Sequence, residues 1–211
     1  MKAINKLLKI SSKPIFPISK LPKINFPVCQ AFKDLTGILK KKNGFLSHES
    51  ALFFLPANSV GDVLGLKDWN EDDFWRKHYK LSKDSLIFFA MDVFGCQFGM
   101  HVSKIVRFIP ETGELIYHSK SFDEWAEKIL EDYDYETGWS LAREWQLRNS
   151  PLQVGYRLVP KQPFVLGGKC EPENFVAMTA KSVILNYAFL YNQIKDYPDG
   201  KKVKIKGWLS L

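Results

Sequence analysis

The residues most able to do chemistry are carboxylates that recur along one predicted helix. Glu127, Glu131 and Asp134 come three, seven and ten positions after Glu124, so the four share one line of the helix, with Asp132 beside them. Two carboxylates can transfer protons or hold a metal ion, but groups that do so lie in clefts and have perturbed pKa values. These five are predicted to face solvent. Two interpretations remain open, a solvated helix face and a docking stripe for a basic protein partner.

The helix that positions these carboxylates has a clear start. Ser121 and Glu124 form the S-x-x-E pattern of a capping box. The apolar residues that follow recur every three or four positions, which predicts a buried face opposite the acidic one; they are Phe122, Trp125, Ala126, Ile129, Leu130 and Tyr133.

Other reactive residues are scattered. The three cysteines, at positions 29, 96 and 170, form no C-x-x-C pair, and the four histidines are equally far apart. Cys96 is predicted to be a small core residue and Asp92 a turn residue. The sequence therefore predicts no catalytic residue, no metal ligand set and no cofactor, and we expect a protein that is not an enzyme.

A second cluster is aromatic. Trp69, Phe74, Trp75 and Tyr79 lie close together around a helix predicted from Asn70 to about Leu81. Such residues usually form the core, and they are also the commonest anchors of protein interfaces. Core packing is the first interpretation, and partner binding through Trp69, Trp75 and Tyr79 is the second.

The net charge of +7 is unevenly distributed. Residues 1–33 contain seven lysines and no acidic residue, whereas residues 43–200 contain 16 basic and 22 acidic residues. A nucleic-acid-binding domain carries its basic residues on the folded surface, so nucleic acid is not the expected partner. The alternative hypothesis is an adaptor that contacts nucleic acid or an anionic membrane through the basic N-terminal arm.

That arm is predicted to comprise residues 1–28, with prolines at positions 14, 17, 22 and 27. Prolines at this density prevent a continuous helix and favour an extended segment. We expect it to lie across the body through Ile15, Phe16, Ile18 and Phe26. No apolar run approaches the roughly 18 residues that span a bilayer, so stable membrane insertion is not expected. We expect a cytoplasmic location.

Residues 29–211 are predicted to form one α+β domain, with a central, largely antiparallel sheet flanked by helices. The almost purely apolar run 86–91 predicts a strand buried on both faces. Strands are also predicted at 98–102, 105–109, 114–118 and 156–166, with an edge strand around Val203 and Ile205. Helices are predicted at 30–42, 138–148 and 179–194.

The segment from Leu86 to Gly99 is similar to the central signature of the SUKH superfamily, the Smi/Knr-like proteins. There an apolar strand ends in a small or acidic residue and is followed by an aromatic-glycine turn and a second strand. The Pro110–Gly113 turn, the next strand and the Ser121–Trp125 helix start also resemble this family. The basic, proline-rich arm is not part of its usual pattern.

This resemblance implies a non-catalytic protein-binding module. Bacterial members are commonly immunity proteins that cover secreted polymorphic toxins, often nucleases. The resemblance therefore predicts a cognate protein toxin as the partner, and the acidic body suits a basic one.

Overall fold

The computed structural model describes residues 2–17, 21–24, 26–27, 29–81, 84–198, 200 and 202–210. Its helices are α1 (Lys2–Ile10), α2 (Gln30–Lys41), α3 (Leu66–Trp69), α4 (Phe122–Glu131), α5 (Tyr133–Thr137), α6 (Trp139–Arg148) and α7 (Ala180–Ile194). Its strands are β1 (Phe45–Ser47), β2 (Leu52–Phe54), β3 (Leu86–Met91), β4 (Gln97–His101), β5 (Lys104–Ile109), β6 (Glu114–Ser119), β7 (Tyr156–Pro160) and β8 (Phe175–Thr179).

Strands β1 to β6 form one antiparallel sheet in chain order. The apolar run 86–91 is central strand β3, and all six of its residues are buried, as predicted. After β3, strands β4, β5 and β6 each pair with the strand before them, because a short turn can connect neighbouring strands of an antiparallel sheet. The α+β prediction with a largely antiparallel sheet is confirmed.

Both faces of the sheet are covered, which explains why β3 shows no polar alternation. On one face, Trp125 of α4 packs edge-on against Phe89, with ring centroids 5.3 Å apart. On the other face, Trp75 contacts Phe88 and Phe108 at 5.2 and 5.6 Å. Adjacent residues of a strand point to opposite faces, so Phe88 and Phe89 serve two layers of one core.

The capping box before α4 is confirmed. The Ser121 hydroxyl accepts a hydrogen bond from the Glu124 backbone N–H at 3.2 Å. The Glu124 carboxylate reaches back to the backbone N–H of Lys120 at 3.2 Å. Because the start of α4 is fixed in this way, its apolar face meets the sheet and its carboxylates remain on the outer side.

The N-terminal segment differs in part from the predicted extended arm. Helix α1 ends before the first proline, and Ile4 and Leu7 are completely buried in the main core. Residues 12–16 then follow the outer edge of β1, where the Ser12 N–H donates to the carbonyl of Leu46 at 2.8 Å. This segment therefore packs on the body, although through more residues than predicted; Ile18 lies outside the described residues.

A smaller antiparallel sheet of β7 and β8 packs with α7. Strand β8 was not predicted, and the predicted strand 156–166 ends at Pro160. The predicted edge strand near Val203 is wrong, because residues 202–206 form no strand. Lys206 instead exchanges backbone hydrogen bonds with the side-chain amide of Gln193.

The predicted helix from Asn70 to Leu81 is also wrong. Residues 71–75 form turns, and only Arg76–His78 makes a short 3₁₀ turn. The Asn70 side chain bonds to strand β3, donating to the Phe88 carbonyl and accepting from the Phe88 N–H, both at 2.8 Å. An asparagine in an N-cap pattern thus anchors a loop to the sheet, because side-chain amides compete with helical bonding.

Candidate functional site

The turn between β3 and β4 is built around Asp92, which is completely buried. Its carboxylate accepts hydrogen bonds from the backbone N–H groups of Phe94 and Cys96 at 3.0 and 2.9 Å. The prediction of a turn residue is confirmed. Asp92 also forms an ion pair with Arg107 of β5 at 2.6 Å, which the sequence did not indicate.

Arg107 connects this turn to α5. Its guanidinium lies 3.6 Å from the Glu136 carboxylate, which in turn bonds to the His118 ring at 3.0 Å. Burial by itself would raise the pKa of Glu136, but the hydrogen bond from His118 and the charges of His118 and Arg107 outweigh it and lower that pKa. We call Asp92, Arg107, His118 and Glu136 the charge network; it ties β3, β5, β6 and α5 together.

The thiol of Cys96, beside the charge network, is kept neutral mainly by burial. Burial raises the pKa of Cys96 well above its usual range, and the negative charge of Asp92 adds to this shift. A thiol is nucleophilic as the thiolate, so Cys96 is a poor nucleophile in this environment. Burial also raises the pKa of Asp92, against the opposing charge of Arg107.

A hollow of about 400 Å³ lies above this part of the sheet, at the outer side of β5 and β6. Its lining joins α4, α5 and β6; it includes Arg107, Ile116, Tyr117, His118, Lys128 and Tyr135. Among the described residues, no group of three or more His, Cys, Asp or Glu side chains is arranged to hold a metal ion. The hollow thus combines an apolar floor with charged groups that already bond to one another.

The predicted acidic residues lie along α4 and α5. Glu127, Glu131, Asp132 and Asp134 are exposed, and Glu124 is half-buried. Besides Glu124, which bonds to the Lys120 N–H, two of the exposed carboxylates form structural hydrogen bonds. Asp132 caps α5 by accepting from the Tyr135 N–H at 3.1 Å, and Asp134 accepts from the Ser140 N–H at 2.7 Å.

Helix α1 lies beside the acidic stripe, the line of carboxylates from Glu124 to Asp134. It packs along α4, and the Asp123 carboxylate accepts from the backbone N–H groups of Lys2 and Ile4 at 3.1 and 3.0 Å. A carboxylate at a helix N-terminus stabilises the helix, because it satisfies free N–H groups there. One side of the stripe therefore borders α1, and its α5 end is bordered by Tyr133 and Tyr135.

The predicted aromatic anchors are in the core. Trp69 and Trp75 are 1% and 0% exposed and Tyr79 is 8% exposed. Their polar atoms bond internally: the Trp69 indole donates to Gln97, and the Tyr79 hydroxyl donates to the Pro110 carbonyl. In this fold, Trp69, Trp75 and Tyr79 thus offer no surface to a partner, which corrects the binding role considered for them.

Two exposed aromatic residues lie instead on α5, next to the predicted carboxylates. Tyr133 is 38% exposed and Tyr135 is 73% exposed. Tyr133 stacks on His48 at 5.1 Å and meets Trp139 edge-on at 5.2 Å. Tyr135 lies near the Arg107 guanidinium, at 5.9 Å. The prediction that Tyr133 continues the buried face of the α4 helix is wrong, because α4 ends at Glu131 and Tyr133 begins the separate helix α5.

The β1–β2 turn beside α5 has an unusual backbone. His48, Glu49 and Ser50 all have positive φ angles, of 49°, 50° and 74°. Such residues cost about 1–3 kcal/mol each and persist only where the surroundings hold them. Here Arg157 donates to the Ser50 carbonyl at 2.7 Å and Gln146 to the Glu49 carbonyl at 2.9 Å. The turn therefore holds His48 against α5 in a fixed position.

We define the α5 surface as the exposed residues of this region: Glu49, Glu131, Asp132, Tyr133, Asp134 and Tyr135. It contains two exposed aromatic rings among four carboxylates. Its shape is set by the underlying charge network, the Asp132 cap of α5, the bond from the Ser140 N–H to Asp134, and Gly138 at φ 73° between α5 and α6.

Comparisons with known proteins give a fold match only. No family model matches the chain, and no curated protein matches it. A solved structure with a similar fold is the crystal structure of Atu4351 from Agrobacterium tumefaciens. The two share 12% sequence identity over 86% of each chain, with a TM-score of 0.53. At this identity the similarity concerns the fold alone.

Proposed function

We propose that this chain is a non-catalytic protein-binding module of the immunity type, which binds a basic protein toxin and covers its active surface. The observation that carries the proposal is the α5 surface, where Tyr133 and Tyr135 are exposed between the carboxylates of Glu131, Asp132 and Asp134. Exposed tyrosines are frequent binding hot spots, and a ring of like charges steers an oppositely charged partner.

The rigidity of the α5 surface supports this role. Glu136 anchors α5 from below through His118, Asp132 caps its first turn, and Asp134 ties it to α6. A surface that is already ordered loses little conformational entropy on binding, so more of the contact energy appears as affinity. Inhibition by occlusion requires high affinity, because the inhibitor acts stoichiometrically.

The absence of enzymatic activity is part of the same proposal. Its support is the pairing of the buried reactive groups: Asp92 with Arg107, and Glu136 with His118. Cys96 stays a neutral thiol beside them. Groups that stabilise one another in this way rigidify the protein and have little capacity left to act on a substrate.

Membership of the SUKH superfamily is likewise a proposal, carried by the residue pattern from Leu86 to the start of α4. A cytoplasmic location belongs with it, since the toxin would be met there. No helix among the described residues is long and apolar enough to cross a membrane.

The first test uses the product of the adjacent gene, which the proposal requires to be a secreted toxin. Its C-terminal domain is produced in a bacterial host with and without this chain, and growth is measured. We expect the domain to stop growth and this chain to restore it. We also expect the purified pair to form a 1:1 complex in titration calorimetry.

Variants then test the α5 surface together with Glu127, the neighbouring carboxylate on α4. The double variant Glu127→Lys/Glu131→Lys and the single variant Tyr135→Ala are each expected to weaken the complex by about tenfold or more. Glu171→Lys, at an exposed position before β8, is the matched charge control and should bind normally. A full-length chain that neither binds the domain nor restores growth would contradict the proposed function; normal binding by all variants would contradict the α5 surface alone.

A second candidate function is attachment to an anionic membrane surface. The specific observation is that Lys2, Lys6 and Lys9 are all exposed on the face of α1 opposite its buried residues. Because α1 is packed on α4, these lysines form a fixed patch and cannot act as a free tether. A lysine held near anionic lipid contributes about 1 kcal/mol.

Vesicle sedimentation tests this candidate. The chain is expected to bind vesicles containing phosphatidylserine at low salt, and the variant Lys2→Glu/Lys6→Glu/Lys9→Glu should lose more than about tenfold in affinity. Vesicles of phosphatidylcholine alone are the control. Equal binding by the variant and the unaltered chain would eliminate the candidate.

A further inference from the structure

The hollow between α5 and β6 exposes apolar surface of the main sheet. Ile116 is 47% exposed there, and two tyrosines that line the same hollow, Tyr117 and Tyr135, are 55% and 73% exposed. Several large apolar side chains that are open together commonly mark a surface that a partner covers. The volume of about 400 Å³ lies within the range of about 300–1,000 Å³ that is usual for ligand pockets.

The polar groups of the hollow are already engaged with one another. The Arg107 guanidinium is paired with Asp92 at 2.6 Å. The Lys128 ammonium donates to the His118 carbonyl at 2.6 Å, and the His118 ring bonds to the Glu136 carboxylate at 3.0 Å. A charged occupant would lose its hydration and would have to compete for partners that are already taken. The hollow therefore favours an uncharged occupant.

Two cations in the lining favour an aromatic occupant over an aliphatic one. The Arg107 guanidinium already lies near the rings of Phe98 and Tyr135, 5.5 and 5.9 Å from their centroids. Lys128 lines the same hollow. A cation within about 6 Å attracts the face of an aromatic ring, and an aliphatic side chain offers no such attraction.

Exposed carboxylates flank the hollow on two sides. Glu114 on β6 comes two residues before Ile116, in a stretch of regular pairing with β5, so the two share one face of the strand. Glu131 and Asp132 come three and four positions after Lys128, at and just after the end of α4. A residue that enters the hollow is thus flanked by negative charge from the strand and from the helices.

We propose, building on the proposed function, that the hollow takes one aromatic side chain of the toxin, with basic toxin residues on both sides of it. The ring packs on Ile116 beside Tyr135. The flanking basic residues meet Glu114 on one side and Asp132 on the other. An aromatic anchor in a pocket commonly carries a large share of the binding energy, and the charges around it set its orientation.

Three five-residue peptides test the hollow without the toxin. One has a tyrosine between two pairs of lysines; alanine replaces the tyrosine in the second, and glutamates replace the lysines in the third. Each is titrated into the isotopically labelled full chain, and amide NMR shifts are followed. We expect the first peptide to shift the resonances of Ile116, His118 and Tyr135, and the other two to bind about tenfold more weakly or worse. Equal affinity for the tyrosine and alanine peptides, or no shift at the hollow with any peptide, would overturn the proposal.

Variants of the chain extend the test to the toxin. Ile116→Asn removes the apolar floor of the hollow without changing its charge, and we expect it to weaken binding of both the tyrosine peptide and the toxin by about tenfold. Leu147→Asn, at an exposed apolar position on α6 outside the hollow, is the matched control and should bind normally. Normal toxin binding by Ile116→Asn would overturn the proposal and leave the proposed function standing. A chain that takes the tyrosine peptide in the hollow but does not bind the toxin would contradict the proposed function alone.

Discussion

Replacing Arg107 by methionine is expected to lower the free energy of unfolding by about 3 kcal/mol. Arg107 is the partner of Asp92, whose side chain is completely buried, and their closest charged atoms are 2.6 Å apart. Without the guanidinium, the buried carboxylate would lose its paired cation and keep the hydrogen bonds from the 94–96 turn. Urea unfolding followed by tryptophan fluorescence measures the change.

Two further variants show whether the loss of stability in Arg107→Met comes from the unpaired charge of Asp92. The double variant Asp92→Asn/Arg107→Met should recover much of the lost stability, because it removes both charges. Arg143→Met is the matched control: its ion pair with Glu49 is 3.7 Å long and half-exposed, so we expect a change below about 1 kcal/mol. A cost for Arg107→Met no greater than that of Arg143→Met would show that the charge network does not stabilise this fold.

The variant Arg107→Met also tests a link between stability and the proposed function. Arg107 also lies 3.6 Å from Glu136, which supports α5 from inside. Removing the guanidinium therefore removes one support of Tyr135 as well as the partner of Asp92. Weaker toxin binding by Arg107→Met, at a temperature where the variant is still folded, would indicate that the charge network orients the α5 surface.

The strands of the main sheet could be predicted because their signals are local. The apolar run 86–91 and the Pro110–Gly113 turn each specify their structure within a few residues, and both were found where predicted. The prediction of a helix at Asn70 was wrong because the bonds that decide the structure there are not local. There the decisive bonds join Asn70 to Phe88, 18 positions away, and no local pattern reports them.

In the candidate site, too, the features specified by neighbouring residues were predicted and those that join distant residues were not. The carboxylates of α4 were predicted from helical spacing, and they do lie on the outer side of that helix. The charge network was not predicted, because Asp92, Arg107, His118 and Glu136 come from four separate elements. Only the register of β4 to β6 brings them together. The buried state of Trp69 and Trp75 likewise depends on which layer covers the sheet, so the sequence could not choose between core and interface.

The second large effect on stability is expected in the N-terminal segment. Leu7→Ala is expected to lower the free energy of unfolding by about 2–5 kcal/mol, because Leu7 is completely buried between α1 and the main core. If residues 1–28 were an arm that folds apart from residues 29–211, the same change would be nearly neutral. The domain boundary at residue 28 thus becomes a measurable prediction.

Lys6→Ala is the neighbouring control for Leu7→Ala. Lys6 is exposed on the same helix, so its removal should change stability by no more than about 0.5 kcal/mol. Helix α1 borders the acidic stripe through Asp123, which accepts from its first N–H groups. Loss of α1 would therefore uncover the side of α4 next to Glu127. We expect Leu7→Ala to weaken toxin binding less than Glu127→Lys/Glu131→Lys, because the α5 surface lies at the other end of the stripe.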